Sequence, residues 1–417
     1  MGRFLFYFLN FISITIYYLF NRRENPDSML FMTPYVLGAI IIFLAISKTL
    51  ARQKLHSSRD LLQTFFAGTF AGLLVFLNSC YSLDPGLFDI NACLNSLRRY
   101  FGTIFMFYAI LSIDRLFGLD RIKLRSYLKF IVALVGGEAI IEFILLNTGV
   151  ISLSNLPIIL GAEALFDRSS AFRPYGFLGS TTALGVFLLM LFYLCRGHKQ
   201  RLSIWSSMLS FIGFAVTLSV TAYSIFGIVS AFSIMRNKRG TSWVFSAVGF
   251  AVVFALLTFG LSILVPEKMT IEYFREVMVE NWGMNWNNYV RLIKSPLDIL
   301  IGAQLFDIHF GVISQDLPYV TWLSEVGLVG LLTYAWITIH YMWKLNAEIE
   351  THYVLASIGC IFLGMLHYPI IIFIPMQIFM GSLLFFASRM DSRKNSKYNR
   401  TSGEPIKELR FANDPKK

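Results

Sequence analysis

Arg291 and Lys294 stand three residues apart late in the chain, with His309, Asp316 and Glu325 following. Two cations at that spacing fall on one face of a helix, here a short amphipathic one stopped by Pro296, and they suit the oxygens of a diphosphate. A solvated helix lying on anionic lipid is the plainer reading of the same spacing. A histidine can act as a general base near neutral pH, and so can an aspartate whose pKa is raised. Glu325 lies inside an apolar run, where a carboxylate is costly and marks a functional site by default. It could orient an arginine or a sugar hydroxyl. Upstream, Asp167-Arg168-Ser-Ser-Ala-Phe-Arg173-Pro-Tyr-Gly176 places two arginines just ahead of another apolar run. A guanidinium grips phosphate as a bidentate fork, and the alternative is an interfacial anchor whose stem runs along lipid. After Arg173, a Pro and a Gly turn the backbone sharply into the next segment.

These residues need a framework, and composition says which. Hydrophobic residues make up 56% of the chain and charged residues 15%, against about 25% charged in an ordinary soluble domain. The bilayer must therefore be the solvent, and the fold class expected is an all-α integral membrane protein. Hydropathy gives about twelve transmembrane helices, near 4–20, 30–47, 61–80, 100–113, 128–147, 175–195, 202–219, 221–235, 243–265, 318–343, 352–367 and 370–388. The apolar run from Leu202 to Met235 is too long for one span and is divided at Ser219. The first span, Phe4–Phe20, has no cleavage pattern after it and is expected to be retained.

Lys and Arg set the orientation. Of the 36, 26 fall on the side holding both termini and 10 on the other. By the positive-inside rule both termini are then cytoplasmic. The same clustering between apolar runs accounts for the formal charge of +11 without a nucleic-acid partner. The transmembrane domain is expected over 1–390, with outer loops at 149–174 and 266–317, the second a long extracytoplasmic loop between spans 9 and 10. The polar, Lys- and Asn-rich stretch 391–417 reads as a disordered cytoplasmic tail. Polar chemistry held against the outer membrane surface argues for an enzyme, or a gated site, acting on a membrane-held substrate.

Two further groups stay open at this level. Glu138 and Glu142 share a face of the fifth span and follow Gly136-Gly137, which permits close helix approach. They could serve a proton pathway, as in a secondary transporter, or pair with an outer arginine. Cys195 and Cys360 lie in apolar runs, whereas Cys80 and Cys93 flank an outer loop and could pair. No Cys/His spacing suggests a metal site, and no cofactor is implied.

Three ordered patterns resemble the O-antigen polymerase and O-antigen ligase superfamily of bacterial surface polysaccharide assembly. The first is Arg173-x-x-Gly176 followed by Ala183. The second is Arg291 with Pro296-Leu and Gly302. The third is Asp316-x-x-Tyr319-x-x-x-Leu323-x-Glu325-x-Gly327-Leu-x-Gly330. Ligases usually begin the third pattern His-Asn, where this chain has Gln315-Asp316. The family's Ser-Arg near the tight hairpin is Thr221-Ala-Tyr223-Ser here, so the more divergent polymerases fit better. The resemblance implies a metal-independent, lipid-linked glycosyltransferase of the cell inner membrane. Its substrate would be an undecaprenyl-diphosphate-linked oligosaccharide, joined into O antigen, capsule or exopolysaccharide, with flippase and chain-length regulator proteins as partners. Arg173, Arg291, Lys294 and Arg168 would hold the diphosphate. Asp316, Glu325 or His309 would serve the acceptor hydroxyl. A ligase-type transferase, a secondary transporter and a non-catalytic assembly scaffold are the alternatives.

Overall fold

The computed structural model describes residues 1–19, 32–52, 90–150, 173–174, 176–200, 202–236, 242–264, 266–302, 318–366 and 370–401. The expected span at 61–80, most of the loop 149–174 with Arg168, and both His309 and Asp316 lie outside these residues.

The described chain is helical, and its one β contact is an isolated bridge between His198 and Ile349. Helices α1 (Gly2–Leu19), α2 (Thr33–Arg52) and α3 (Ile90–Phe117) open the chain. A continuous rod follows, made of α4 (Leu124–Ile131), a π-turn at Val132–Gly136 and α5 (Gly137–Asn147). Next come α6 (Thr181–Arg196), α7 (Ile204–Val216), α8 (Val220–Arg236) and α9 (Ser242–Leu264). Short helices α10 (Ile271–Phe274), α11 (Asn281–Leu292) and α12 (Pro296–Ile301) occupy the segment expected as a long loop. The chain ends in α13 (Pro318–Lys344), α14 (Thr351–Gly364) and α15 (Ile374–Thr401).

Among the described residues four helices are long and apolar enough to cross a membrane: Arg98–Phe117, Leu124–Asn147, Ser246–Leu264 and Pro318–Ala347. Seven shorter apolar helices accompany them. The division placed at Ser219 corresponds to a turn at Thr217–Ser219, where Leu218 adopts a positive φ of 48°. α15 runs on to Thr401. Extending an anchored helix is cheap compared with nucleating one, and Arg389 provides the anchor by bonding Asp114, Asp120 and the Leu119 carbonyl.

Two helices organise the interior. α15 packs against α1, α3 and α13, and α6 packs against α7, α8 and α14. From Ala183 to Leu191 every residue of α6 is buried, as expected of a helix apolar on all sides. α9 is the opposite case, with only 6% of its apolar window buried, so its apolar side chains are left exposed.

Polar residues mark the two ends of the bundle. One end brings together Lys123, Arg125, Gln200, Glu348 and Arg389 around a small pocket, beside the His198–Ile349 bridge. The N-terminus joins that end, since Gly2 meets Phe117 and Gly118. Arg99, Arg173 and Glu325 lie roughly a helix length away, at the other end. Lys123, Arg125 and Arg389, three of the cations that the Lys/Arg count assigns to one side, share that end.

Candidate functional site

Glu325 is fully buried in α13, and its carboxylate accepts from Arg99 on α3 at 3.1 Å. The Tyr100 hydroxyl donates to the second carboxylate oxygen. Trp322, also fully buried, stands edge-on to both Tyr100 and Tyr334 at ring separations of 4.8 and 4.7 Å. A charge enclosed in this way persists only with its partners in place, because removing one strands the other. Glu325 thus fixes the Arg99 guanidinium. The backbone of Arg99 is held as well: Gln377 of α15 donates to the carbonyls of Arg98 and Arg99 at 3.0 and 3.3 Å, and Tyr35 of α2 donates to the same Gln377.

Just past Glu325, α13 is broken at Gly327, whose φ and ψ are 63° and −173°. L side chains avoid that region. A Cβ at Gly327 would also strike the backbone of Leu300 and Ile301. Glycine is needed here for both reasons, and the result is that α12 docks into the kink. α12 is itself well formed. Ser295 stands at its N-cap, Pro296 opens it and Asp298 reaches back to the Ser295 N–H, an N-terminal signature. Buried Asp298 accepts from the Lys294 and Ser295 N–H groups at 2.7 and 2.8 Å. The second and third sequence patterns are therefore two halves of one contact.

α11 lies over the start of α13, with Tyr289 packed on Val320. The Tyr289 hydroxyl is buried and has no hydrogen-bond partner among the described residues. Burial, and next the Asp298 carboxylate, raise its pKa, so it remains a protonated donor at neutral pH. Arg291 and Lys294 are exposed. The structure corrects their expected relation: α11 ends at Leu292 and Ile293 is extended, with ψ 116°. The two cations do not share a helix face. Pro296 begins a helix rather than stopping one, and the turn before it separates them.

The Arg173 pattern builds a second cluster at the same end. Arg173 is buried and donates to the Leu218 carbonyl at 3.3 Å. Gly176 has φ +60°, and a Cβ there would meet Leu184 at 2.7 Å and the Glu138 carboxylate at 3.1 Å. Its N–H donates to Glu142 at 2.9 Å. Ser180 then caps α6 by accepting from the Ala183 N–H at 3.3 Å. Glu142 thus ties down the turn that presents Arg173. The rod bearing it approaches α7 closely at Gly136, whose Cβ position lies 3.3 Å from the Leu209 carbonyl. Gly137 has no such neighbour.

Of the residues singled out from sequence, Glu325 is enclosed, Arg173 is buried in its own cluster, and Arg291 and Lys294 stand on the overlying segment. Arg99 and Tyr100 were missed, apart from Arg99 being counted as an outer cation. Their signal was two arginines at the mouth of an apolar helix. Nothing local links them to a glutamate so distant in the chain. Among the described residues no three His, Cys, Asp or Glu side chains cluster as a metal site would require. No protein-family model, curated protein or solved structure matches this chain.

Proposed function

We propose that the protein is a polysaccharide polymerase that joins undecaprenyl-diphosphate-linked repeat units at the outer face of the cytoplasmic membrane. This reading takes the seven shorter apolar helices and the stretch 61–80 as spans, giving twelve, with both termini cytoplasmic. The observation that carries it is the Arg99–Glu325 pair, buried beneath α12 where the Gly327 kink receives it. It is a cation fixed on α3 beside the kink that receives α12.

The chemistry follows from charge. The bond from the donor's anomeric carbon to the diphosphate oxygen breaks, and that diphosphate gains negative charge. Arg99, Arg173 and Arg291 are the cations available to stabilise it. The acceptor sugar hydroxyl forms the new bond and gives its proton to a base, for which Asp316 and His309 are the candidates. Glu325 is enclosed by Arg99 and Tyr100, so its part is to aim the guanidinium rather than take the proton. Fixing the cation beforehand avoids reorganisation during the reaction. The donor's lipid tail stays in the bilayer throughout.

Mass spectrometry of undecaprenyl-linked glycans tests this, comparing a strain lacking the gene with its complemented parent. Accumulation of single repeat units is the expected result. Long lipid-linked chains would instead indicate a ligase. An unchanged carrier pool would overturn both and favour a transporter.

A further inference from the structure

Away from the Arg99–Glu325 end, α6, α7, α8, α9 and α14 line a partly open cavity of about 610 Å³. Its walls are apolar, with Phe192, Met208, Phe211, Phe226, Phe250 and Val253 all contributing. Its polar end is formed by Arg196 at the close of α6 and His352 at the start of α14. Two flanking helices, α7 and α9, expose large apolar side chains: Trp205 and Ile212 on one, Val248 and Val252 on the other. In a membrane that flank is covered by lipid.

We propose that this cavity holds an acyl chain of an anionic phospholipid, with the headgroup phosphate on Arg196. Size, surroundings and charge each support that occupant. The volume lies within the range of about 300–1,000 Å³ usual for small-molecule sites, and the walls suit a hydrocarbon chain. Arg196 is exposed and makes no ion pair among the described residues, whereas His352 is within 3.6 Å of Glu350. The Arg196 guanidinium at the polar end of an apolar cavity between helices favours a lipid of net negative charge over a zwitterionic one. The inference needs membrane residence only and does not depend on the polymerase reading.

Native mass spectrometry of the full chain tests it, after release from nanodiscs holding phosphatidylglycerol and phosphatidylethanolamine in equal parts. One retained phosphatidylglycerol is expected on the wild type. Arg196→Gln should lower that adduct about tenfold, the worth of one charge-assisted hydrogen bond. Gly249 lines the cavity and has open space at its Cβ position, so Gly249→Trp should fill the cavity and remove bound lipid of either kind. Membrane levels equal to wild type in both variants guard against a loss of fold. Retention of neither lipid by the wild type would overturn the proposal. Equal retention of the two lipids, or undiminished binding by the Trp variant, would do the same.

Discussion

Whether Arg99 and Glu325 act on a substrate or merely hold two helices together can be decided by replacing them as a pair. Breaking a buried ion pair from one side strands a charge and costs about 3–5 kcal/mol, while exchanging both partners for apolar groups of similar volume is often neutral. Glu325→Leu alone should therefore reduce the amount of folded protein. The double variant Arg99→Met with Glu325→Leu should recover a melting temperature within a few degrees of wild type. If the guanidinium serves the diphosphate, that double variant makes no polymer despite its stability. Polymer from it would make the pair structural. Arg291 offers a cleaner test, because it is exposed and its loss should leave the protein inserted. Arg291→Ala should abolish polymer, and Arg291→Lys should fail too if a planar fork is required. Glu142 behaves differently. Its carboxylate accepts a backbone N–H, and a glutamine oxygen can do the same, so Glu142→Gln should preserve polymer length. A proton-coupled transporter would lose function with that change.

Between elements, the main constraint is the docking of α12 into the kink of α13. Gly327→Ala must place a Cβ against the Leu300 backbone in a region of φ and ψ that itself costs about 1–3 kcal/mol. We expect at least a tenfold drop in polymer per inserted molecule, read from gels of surface polysaccharide. Gly260→Ala on α9, where a Cβ meets nothing, should be silent. Much of this region was legible in the sequence. Pro296, Gly302, Glu325 and Gly327 all stood out by type and spacing. What spacing could not supply was that they meet. Reading Pro296 as a helix stop overlooks Ser295 and Asp298 around it, which spell a helix start. The π-turn at Val132–Gly136 has no such signature, and its bulge is visible only in the backbone. Arg99 was hidden for a different reason: its role depends on a partner brought near by packing, and hydropathy does not see pairings.

For the molecule as a whole, hydropathy and the Lys/Arg count reach furthest, because a bilayer imposes length and charge rules that act locally along the chain. Those rules put Arg121 and Lys199 on one side and the segment 266–302 on the other; Lys199 bonds the Asn346 and Ala347 carbonyls just past the end of α13, while α12 meets Gly327 nearer the start of that helix. The direction in which the bundle is inserted decides whether the Arg99–Glu325 site faces lipid-linked sugars outside or the cytoplasm. Single cysteines at Gly283 and at Arg121 read it directly. Gly283 has open space at its Cβ position, and Arg121 is exposed. Cys195 and Cys360 are buried and contribute little background once Cys80 and Cys93 are changed to serine. On intact cells a membrane-impermeant maleimide should label Gly283→Cys and spare Arg121→Cys until the membrane is permeabilised. The reverse pattern would place the ion pair on the cytoplasmic face, where no glycan carried across the membrane could reach it, and the polymerase reading would fail with the topology.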